Sequence, residues 1–520
     1  MTIWDTLKQA VERYPDKIAV VDGEIRLTYD QLYSRIGSLT NFLKSAGVNS
    51  GDRISILDVN SLPFYETYYA AAGLGAILNP LNYRLSVNEL AYIINDAGSR
   101  WLLASPQFFK QVTGLQGKKT PLAGVLWLGD KFPGECSYRA VFYDEILARK
   151  AEFTPEVVRP DSAAHLYYTS GTTGKSKGVI LTHSNVCLHA QAAVEELEIS
   201  EDDIWGHIAP MFHLADAWAT FALTLVGGRH VMLPTFDPQG ALNLIQDEKI
   251  TISNLIPTML NLMVKCPNAG EYDFSSLRLI LSGGAPIAPE VVRRIVETFK
   301  CEYAQTYGMT ETSPYLTLSL LKDHLKELPP KEQLAYKART GRPFKTVELK
   351  VMRLDGKGEV EANDSEVGEI WIRGETVTPG YWNRPGETEE AFTDGWLRSG
   401  DLAVVDKEGF VNIVDRKKDM IICGGENISS IEVENVLHEH PKVLEVAVIG
   451  VPDDIWGEVV KAVVVLKPGE VADEKELIEF CRERLTSFKV PQSVDFLSEL
   501  PKTGSGKIYK KALREKYRIS

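Results

Sequence analysis

YYTSGTTGKSKGVILTH, residues Tyr167 to His183, decides how the rest of the chain is read. An apolar strand, HLYYT, runs into Thr169, Ser170, Gly171, Thr172, Thr173, Gly174, Lys175, Ser176, Lys177 and Gly178, and a second strand, VILTH, leaves. Glycine lets a backbone turn its N–H groups toward a polyanion. The hydroxyls and the two lysines add further donors. The chemistry this suits is the binding of a nucleotide's outer phosphates. A Walker A loop is excluded. GxxxxGK[ST] needs glycine at position 169, where Thr169 stands, and a helix where VILTH reads as a strand.

Outward from this loop, short β-branched runs alternate with helical patterns. RISILDV (Arg53 to Val59) precedes a helical stretch from Leu62 to Leu74 and then GAILNPLN. WLLAS (Trp101 to Ser105), GVLWLGD (Gly124 to Asp130), GRHVMLP (Gly228 to Pro234) and RLILSGG (Arg278 to Gly284) read as buried strands, the last followed by a helix from Pro289 to Phe299. Such alternation predicts parallel α/β layers. Leu320 to Arg339 is charged and contains proline, and is expected to be a surface excursion. From about Val347, LKVMRLD, GEIWIRG and LAVVDKEGFVNIVDR predict a meander or small barrel of short strands. After Arg416 an α+β pattern follows: the helix ISSIEVENVLHEH capped by Ser429 or Ser430, the strands EVAVIGVPD and VVKAVVVLKPG, and the helix EKELIEFCRERL. DRKKDMIICGGENIS suits a mobile joint. The expected organisation is an α/β protein with a large N-terminal domain, 1–417, of layered α/β subdomains plus a small barrel-like β subdomain. A small mobile α+β C-terminal domain, 418–520, completes it.

The chain has 520 residues, enough for about three folding units at roughly 150 residues each. It is 44% hydrophobic and 25% charged, which predicts a sizeable core and excludes wholesale disorder. Lys plus Arg is 57 and Asp plus Glu 71, a formal charge of 57 − 71 = −14, which argues against a nucleic-acid or anionic-membrane binder. Cys136, Cys187, Cys266, Cys301, Cys423 and Cys481 form no CxxC pair and no zinc spacing, as expected for reduced thiols in the cytoplasm. The N-terminus lacks the pattern of a signal peptide. Ile3, Trp4, Leu7 and Val11 instead predict an amphipathic helix. The longest apolar stretch, around Tyr68 to Leu78, is too short to span a bilayer, and KYRIS is not a targeting signal.

YYTSGTTGKSKGV resembles the phosphate loop of the adenylate-forming superfamily: acyl-CoA synthetases, adenylation domains of peptide synthetases and beetle luciferases. Further motifs follow in that superfamily's order. SGGAPI (Ser282 to Ile287) and QTYGMTET (Gln305 to Thr312) resemble its adenine and magnesium segments, with GEIWIRG and GYWNRP (Gly380 to Pro385) next. DGWLRSGDLAVVDKEGF (Asp394 to Phe410) resembles its ribose segment, DRKKDMIICGGENIS its hinge, and PKTGSGKI (Pro501 to Ile508) its C-terminal lysine loop. The match covers essentially the whole chain.

The resemblance implies two half-reactions. A carboxylate attacks the α-phosphorus of ATP, giving an acyl-adenylate and pyrophosphate, and a thiol then displaces AMP. Such chemistry rests on positioning and charge neutralisation. It implies that the loop from Thr169 to Lys177 holds phosphates. Gly283, Gly284 and Ala285 then let adenine and the acyl group approach the backbone, beside Gln305, Thr306 and Gly308. Tyr307 stacks on adenine, Thr310 donates to the α-phosphate, and Glu311 is the protein ligand of the magnesium that ATP brings. Asp401 and Arg416 meet the ribose. Lys507 bridges the substrate carboxylate and the α-phosphate. Lys418 is the pivot, and Gly424, Gly425 and Glu426 line the pantetheine channel. His213, in APMFHLADAW, gates the acyl site, whose further lining is Trp218, Asn254 to Met259, Gly283 to Ala285, and Met309 to Pro314. Peptide-synthetase domains carry an Asp near this gate to hold an amine. Asp216 lies close by but offset in register.

The expected activity is an ATP-dependent carboxylic acid–CoA ligase using ATP, Mg2+ and CoA, with a medium- or long-chain fatty acid as substrate. The alternatives are an aryl or arylpropenoic acid, an acceptor phosphopantetheine on a carrier protein, a luciferase-type oxygenase, and a non-catalytic ATP-binding protein. No carrier domain follows the lysine loop, which favours CoA. Expected partners are the small acid and CoA, a second copy in a homodimer, and a lysine acetyltransferase and deacetylase acting on Lys507. No nucleic acid is expected.

Overall fold

The structure is a computed structural model that describes residues 1–129, 134, 136–148, 153–169, 175–285, 287–424, 426–453, 455–502 and 508–517. The chain divides into two compact units, Met1–Leu349 with Ile372–Leu397, and Lys350–Trp371 with Arg398–Ser520.

The first unit holds the predicted parallel layers. A seven-stranded sheet runs in the order Ala140–Phe142, Gly124–Trp127, Ser99–Ala104, Arg53–Leu57, Ile77–Pro80, Ala163–Thr169, Lys177–Thr182. Every neighbouring pair is parallel except the last, an antiparallel hairpin with Thr169 opposite Lys177. A nine-stranded sheet runs Arg342–Pro343, Tyr315–Leu318, Glu302–Gly308, Leu279–Gly283, Ile252–Asn254, Ile204–His207, Arg229–Met232, Ile18–Asp22, Ile25–Thr28. Its centre is parallel and its edges antiparallel. The continuous apolar runs of these strands are buried, as helices on both faces of parallel sheets require.

The helix Leu62–Leu74 shows why the pattern was readable. Ser61 caps it by accepting from the Phe64 N–H, Pro63 sits in its first turn, and Gly75 ends it in the left-handed region at φ 65°. The N-terminal helix, Ile3–Arg13, buries Ile3, Trp4 and Leu7, with Val11 half-buried. The stretch from Leu320 to Arg339 is more than an excursion. It forms the helices Asp323–Lys326 and Pro330–Lys337, and buried Lys337 reaches Glu302 at 2.8 Å. All six cysteines are free.

The strand-rich stretch forms a five-stranded sheet ordered Val347–Arg353, Gly368–Gly374, Trp396–Val405, Phe392–Thr393, with Val411–Arg416 pairing Trp396–Val405 antiparallel. In the second unit, the long hairpin Val443–Asp453 and Gly457–Leu466 anchors another five-stranded sheet. Side chains alternate along a strand. Val446 and Val448 therefore pack with Val433 and Leu437, while Ala447 and Ile449 pack on the opposite face with Leu500 and Leu513. Of the two candidate serines, Ser429 is the cap of the helix Ser430–His438, accepting from the Glu432 N–H.

Candidate active site

Ligands of open parallel sheets bind beyond the carboxyl ends of the strands. Several described candidates of the first unit lie there. Thr169 ends a strand of the seven-stranded sheet; Gly283 and Gly308 end neighbouring strands of the nine-stranded one.

At Gly283 a Cβ would overlap Thr306 Oγ1 and sit 2.7 Å from the Thr306 carbonyl oxygen, so the two strands meet too closely for any side chain. Gly284 follows at φ 86°, and both it and Ala285 are exposed, presenting backbone to a ligand. Gln305 secures this ridge: its Nε2 donates to the Ala285 carbonyl at 2.9 Å, and its Oε1 accepts from Tyr303. Tyr307, near the strand's end, and Met309 and Thr310 beyond it are half-buried, and Glu311 is buried, 7% exposed.

One segment, Thr376 to Arg384, reaches both sheets' strand ends. Ser313 Oγ donates to the Thr376 carbonyl at 2.8 Å, and Thr378 N–H donates to the Glu311 carbonyl at 2.8 Å. On its other side Thr378 Oγ1 donates to the Ile180 carbonyl at 2.6 Å, and Trp382 N–H donates to the Gly178 carbonyl at 2.8 Å. The segment thus straps the phosphate-loop hairpin to the Glu311 turn. Tyr381 stands at its middle. Its hydroxyl donates to Glu311 Oε1 at 2.9 Å, and its ring centroid lies 4.4 Å from the Lys177 ammonium. Burial and the Glu311 carboxylate push this phenol well above its ordinary pKa, so it stays a donor.

The described shoulders of the phosphate loop are held by more groups. Lys177 pairs with Glu387 at 2.9 Å. Tyr92 donates to the Ser176 carbonyl at 3.0 Å. Asp96 accepts from Tyr168 at 2.8 Å and from Arg384 at 2.6 Å. Lys175 is exposed, 5.9 Å from the Tyr92 ring centroid. Ser170, Gly171, Thr172, Thr173 and Gly174, at the loop's centre, lie outside the described residues, as do Gly425 and Lys507.

His213 precedes the helix Leu214–Val226, with its ring 4.4 Å from that of Phe212. Trp218 is packed among Trp205, Tyr315 and His189. Asp216 is fully buried. It accepts from Trp205 Nε1 at 3.2 Å and meets His207 Nδ1 at 2.5 Å, while His207 Nε2 faces His230 at 3.0 Å. Its carboxylate serves this internal network, which accounts for its offset from an amine-holding position.

Within the second unit, Asp401 and Arg416 face each other across two antiparallel strands, Nε to Oδ1 3.3 Å. Lys418 is exposed in the turn after Val411–Arg416. Gly424 adopts φ 59° and donates to the Trp456 carbonyl at 2.8 Å. A Cβ there would stand 2.8 Å from the Trp456 ring. Glu426 is exposed on the next strand.

Tyr381, Glu387, Arg384, Asp96 and Tyr92 were not marked by sequence reading. GYWNRP signals a segment but no role, and Asp96 comes from a helix remote in sequence, with no local pattern to flag it.

The profile of the AMP-binding enzyme family matches residues 7–382, and that of the AMP-binding enzyme C-terminal domain matches 432–507. A long-chain-fatty-acid–CoA ligase of Thermus thermophilus is 36% identical over 528 residues, covering 100% of this chain and 96% of the relative. A feruloyl-CoA synthase of an Amycolatopsis species is 37% identical, covering 97% and 96%. The o-succinylbenzoate CoA synthetase of Bacillus subtilis, solved with its acyl-adenylate intermediate, superposes with a TM-score of 0.84 at 31% identity, covering 99% of this chain and 98% of that one. With these matches running the length of the chain, and with the loop's described shoulders, the ridge and the carboxylate turn gathered at the strand ends, the protein belongs to the AMP-binding enzyme family, in the acyl-CoA synthetase branch of the adenylate-forming superfamily.

Proposed function

We propose that the chain is an AMP-forming carboxylic acid–CoA ligase acting on an apolar acid. The observation that carries this reading is the strap from Thr376 to Arg384, which ties the phosphate-loop hairpin to the Glu311 turn at the carboxyl ends of parallel strands. Such a cradle suits a triphosphate on one side and an acid beside its α-phosphorus on the other.

Carboxylates are poor electrophiles, and conversion to a mixed anhydride with AMP supplies a good leaving group. A carboxylate oxygen attacks the α-phosphorus and the bond to pyrophosphate breaks. Thiolate sulfur then attacks the acyl carbon, and AMP departs with the oxygen that formed the anhydride. Thr169, Lys175 and Lys177 with the intervening loop hold the phosphates, and the Gly283–Ala285 ridge and Tyr307 hold adenine. Thr310 donates to the α-phosphate, and Asp401 and Arg416 take the ribose. Lys507 neutralises the two anions as they meet. Glu311, a buried hard-oxygen donor, fits magnesium, which usually takes one or two protein carboxylates. When bound, that ion spreads the charge of the phosphates. Thiol transfer uses Gly424, Gly425 and Glu426 after rotation at Lys418.

A fatty acid of medium or long chain is the leading substrate, supported by the Thermus relative and by the Phe212–His213 ring pair. The commitment of Asp216 to Trp205 and His207 disfavours an α-amino acid. An aryl or arylpropenoic acid is the second reading, favoured by the feruloyl-CoA synthase relatives. Six free thiols suit a cytoplasmic enzyme. Acetylation of Lys507, flanked by Gly504 and Gly506, would remove the charge adenylation needs.

The test is pyrophosphate release across aliphatic acids of graded length and aryl acids, with CoA and a holo-carrier protein compared as acceptors. Acid-dependent release, followed by thioester on CoA, is expected. No acid-dependent AMP across the panel would overturn the reading.

A further inference from the structure

We propose that Tyr381 is a positioning residue for adenylate formation, setting the Glu311 carboxylate toward the nucleotide's cation while holding Lys177 apart from it. The inference rests on the proposed roles of Glu311 and of the phosphate loop.

Two opposite charges meet one phenol. The hydroxyl donates to Glu311 Oε1 at 2.9 Å, and the ring face sits 4.4 Å from the Lys177 ammonium. Tyr381 itself is fixed from both sides of the strap. Its neighbours Gly380 and Trp382 pair with Ile180 and Gly178, and its own N–H donates to Thr388 Oγ1 at 3.0 Å. Lys177 is turned the other way by Glu387 at 2.9 Å, and Glu387 is in turn 3.6 Å from Arg384. The Glu311 carboxylate, in the turn after a strand of one sheet, and the Lys177 ammonium, at the start of a strand of the other, would otherwise attract each other, and direct pairing would draw the carboxylate away from magnesium. The phenol prevents this. It satisfies one carboxylate oxygen with a neutral donor, leaving the carboxylate charged, and offers the ammonium a π-face beside its Glu387 pair, on the side that faces Glu311. One side chain thereby couples metal ligation to phosphate-loop geometry, which explains an aromatic residue with a hydroxyl at this point of the strap.

Tyr381→Phe keeps the ring and removes the donor; Tyr381→Leu removes both. The primary readout needs no turnover: electron paramagnetic resonance titration of Mn2+ in the presence of ATP without acid. Removal of a hydrogen bond to a charged group predicts roughly tenfold weaker Mn2+–ATP binding in Tyr381→Phe. Tyr381→Leu is expected to weaken ATP binding further, because Lys177 also loses the ring face. ATP–pyrophosphate exchange should fall in parallel, while thioester formation from supplied acyl-adenylate stays within about twofold. Mn2+–ATP binding and exchange unchanged in Tyr381→Phe would overturn the proposal. So would equal losses in both half-reactions together with a lowered melting temperature, which mark a merely structural residue. Failure of the underlying reading is distinguishable. In that case the parent enzyme makes no AMP from any acid, and Glu311→Gln binds Mn2+–ATP as the parent does.

Discussion

At the scale of single residues, Asp216 shows what a sequence leaves open. Its nearness to His213 makes an amine-binding role conceivable, because the partners that claim it, Trp205 and His207, lie on the strand Ile204–His207, before its own helix. Breaking a buried hydrogen-bond network leaves polar groups unsatisfied, so Asp216→Asn is expected to lose about 1–3 kcal/mol of stability, measured by urea unfolding, with no change in acid preference. Undiminished stability with altered use of amino acids would contradict this. Asp58 gives a pH signature. Burial raises its pKa to about 7, against the hydrogen bonds it accepts from Ser61 and the Val59 N–H. The native state therefore holds the proton more tightly than the unfolded chain. That contribution is complete at low pH and fades as pH rises toward and through about 7. Asp58→Asn lacks the titration, so the melting temperature of the variant minus that of the parent should increase from about pH 5 to about pH 8. A decrease over that range would refute the assignment.

At the scale of elements, the strands and helices with apolar runs were legible because burial on both faces of parallel sheets writes itself as unbroken hydrophobicity. The strand Leu279–Gly283 is an example, and the helix Pro289–Phe299 after it was legible from its one apolar face, Val292, Ile295 and Phe299. Leu320 to Arg339 was less legible. Its charges mask two helices, and Lys337 is buried through a pair with Glu302 that no local pattern announces. The strap was illegible for the same reason: Thr378, Tyr381 and Trp382 act through partners far off in sequence. Glycine at position 283 tests the element packing. Gly283→Ala drives a methyl into the backbone of Thr306 on the adjacent strand, and overpacking of this kind costs about 1–3 kcal/mol. The expected result is a lowered urea midpoint together with weaker ATP binding. Parent-like values of both would show that the two strands separate freely.

At the scale of the whole molecule, the order of motifs carried more than any single one, and the family followed from that order. The turn holding Lys418 is where the account places domain rotation. Proline fixes φ and removes a backbone donor. Lys418→Pro is therefore expected to keep ATP–pyrophosphate exchange within a few-fold while reducing acyl-CoA formation by at least about tenfold. Equal loss in both would contradict a pivot there. The central claim is that an acid oxygen attacks the α-phosphorus. The most direct measurement is mass spectrometry of AMP after turnover of an acid carrying 18O in both carboxyl positions, with ATP and CoA. AMP bearing a single 18O and unlabelled pyrophosphate are expected. Unlabelled AMP, or label appearing in phosphate alongside ADP, would contradict it.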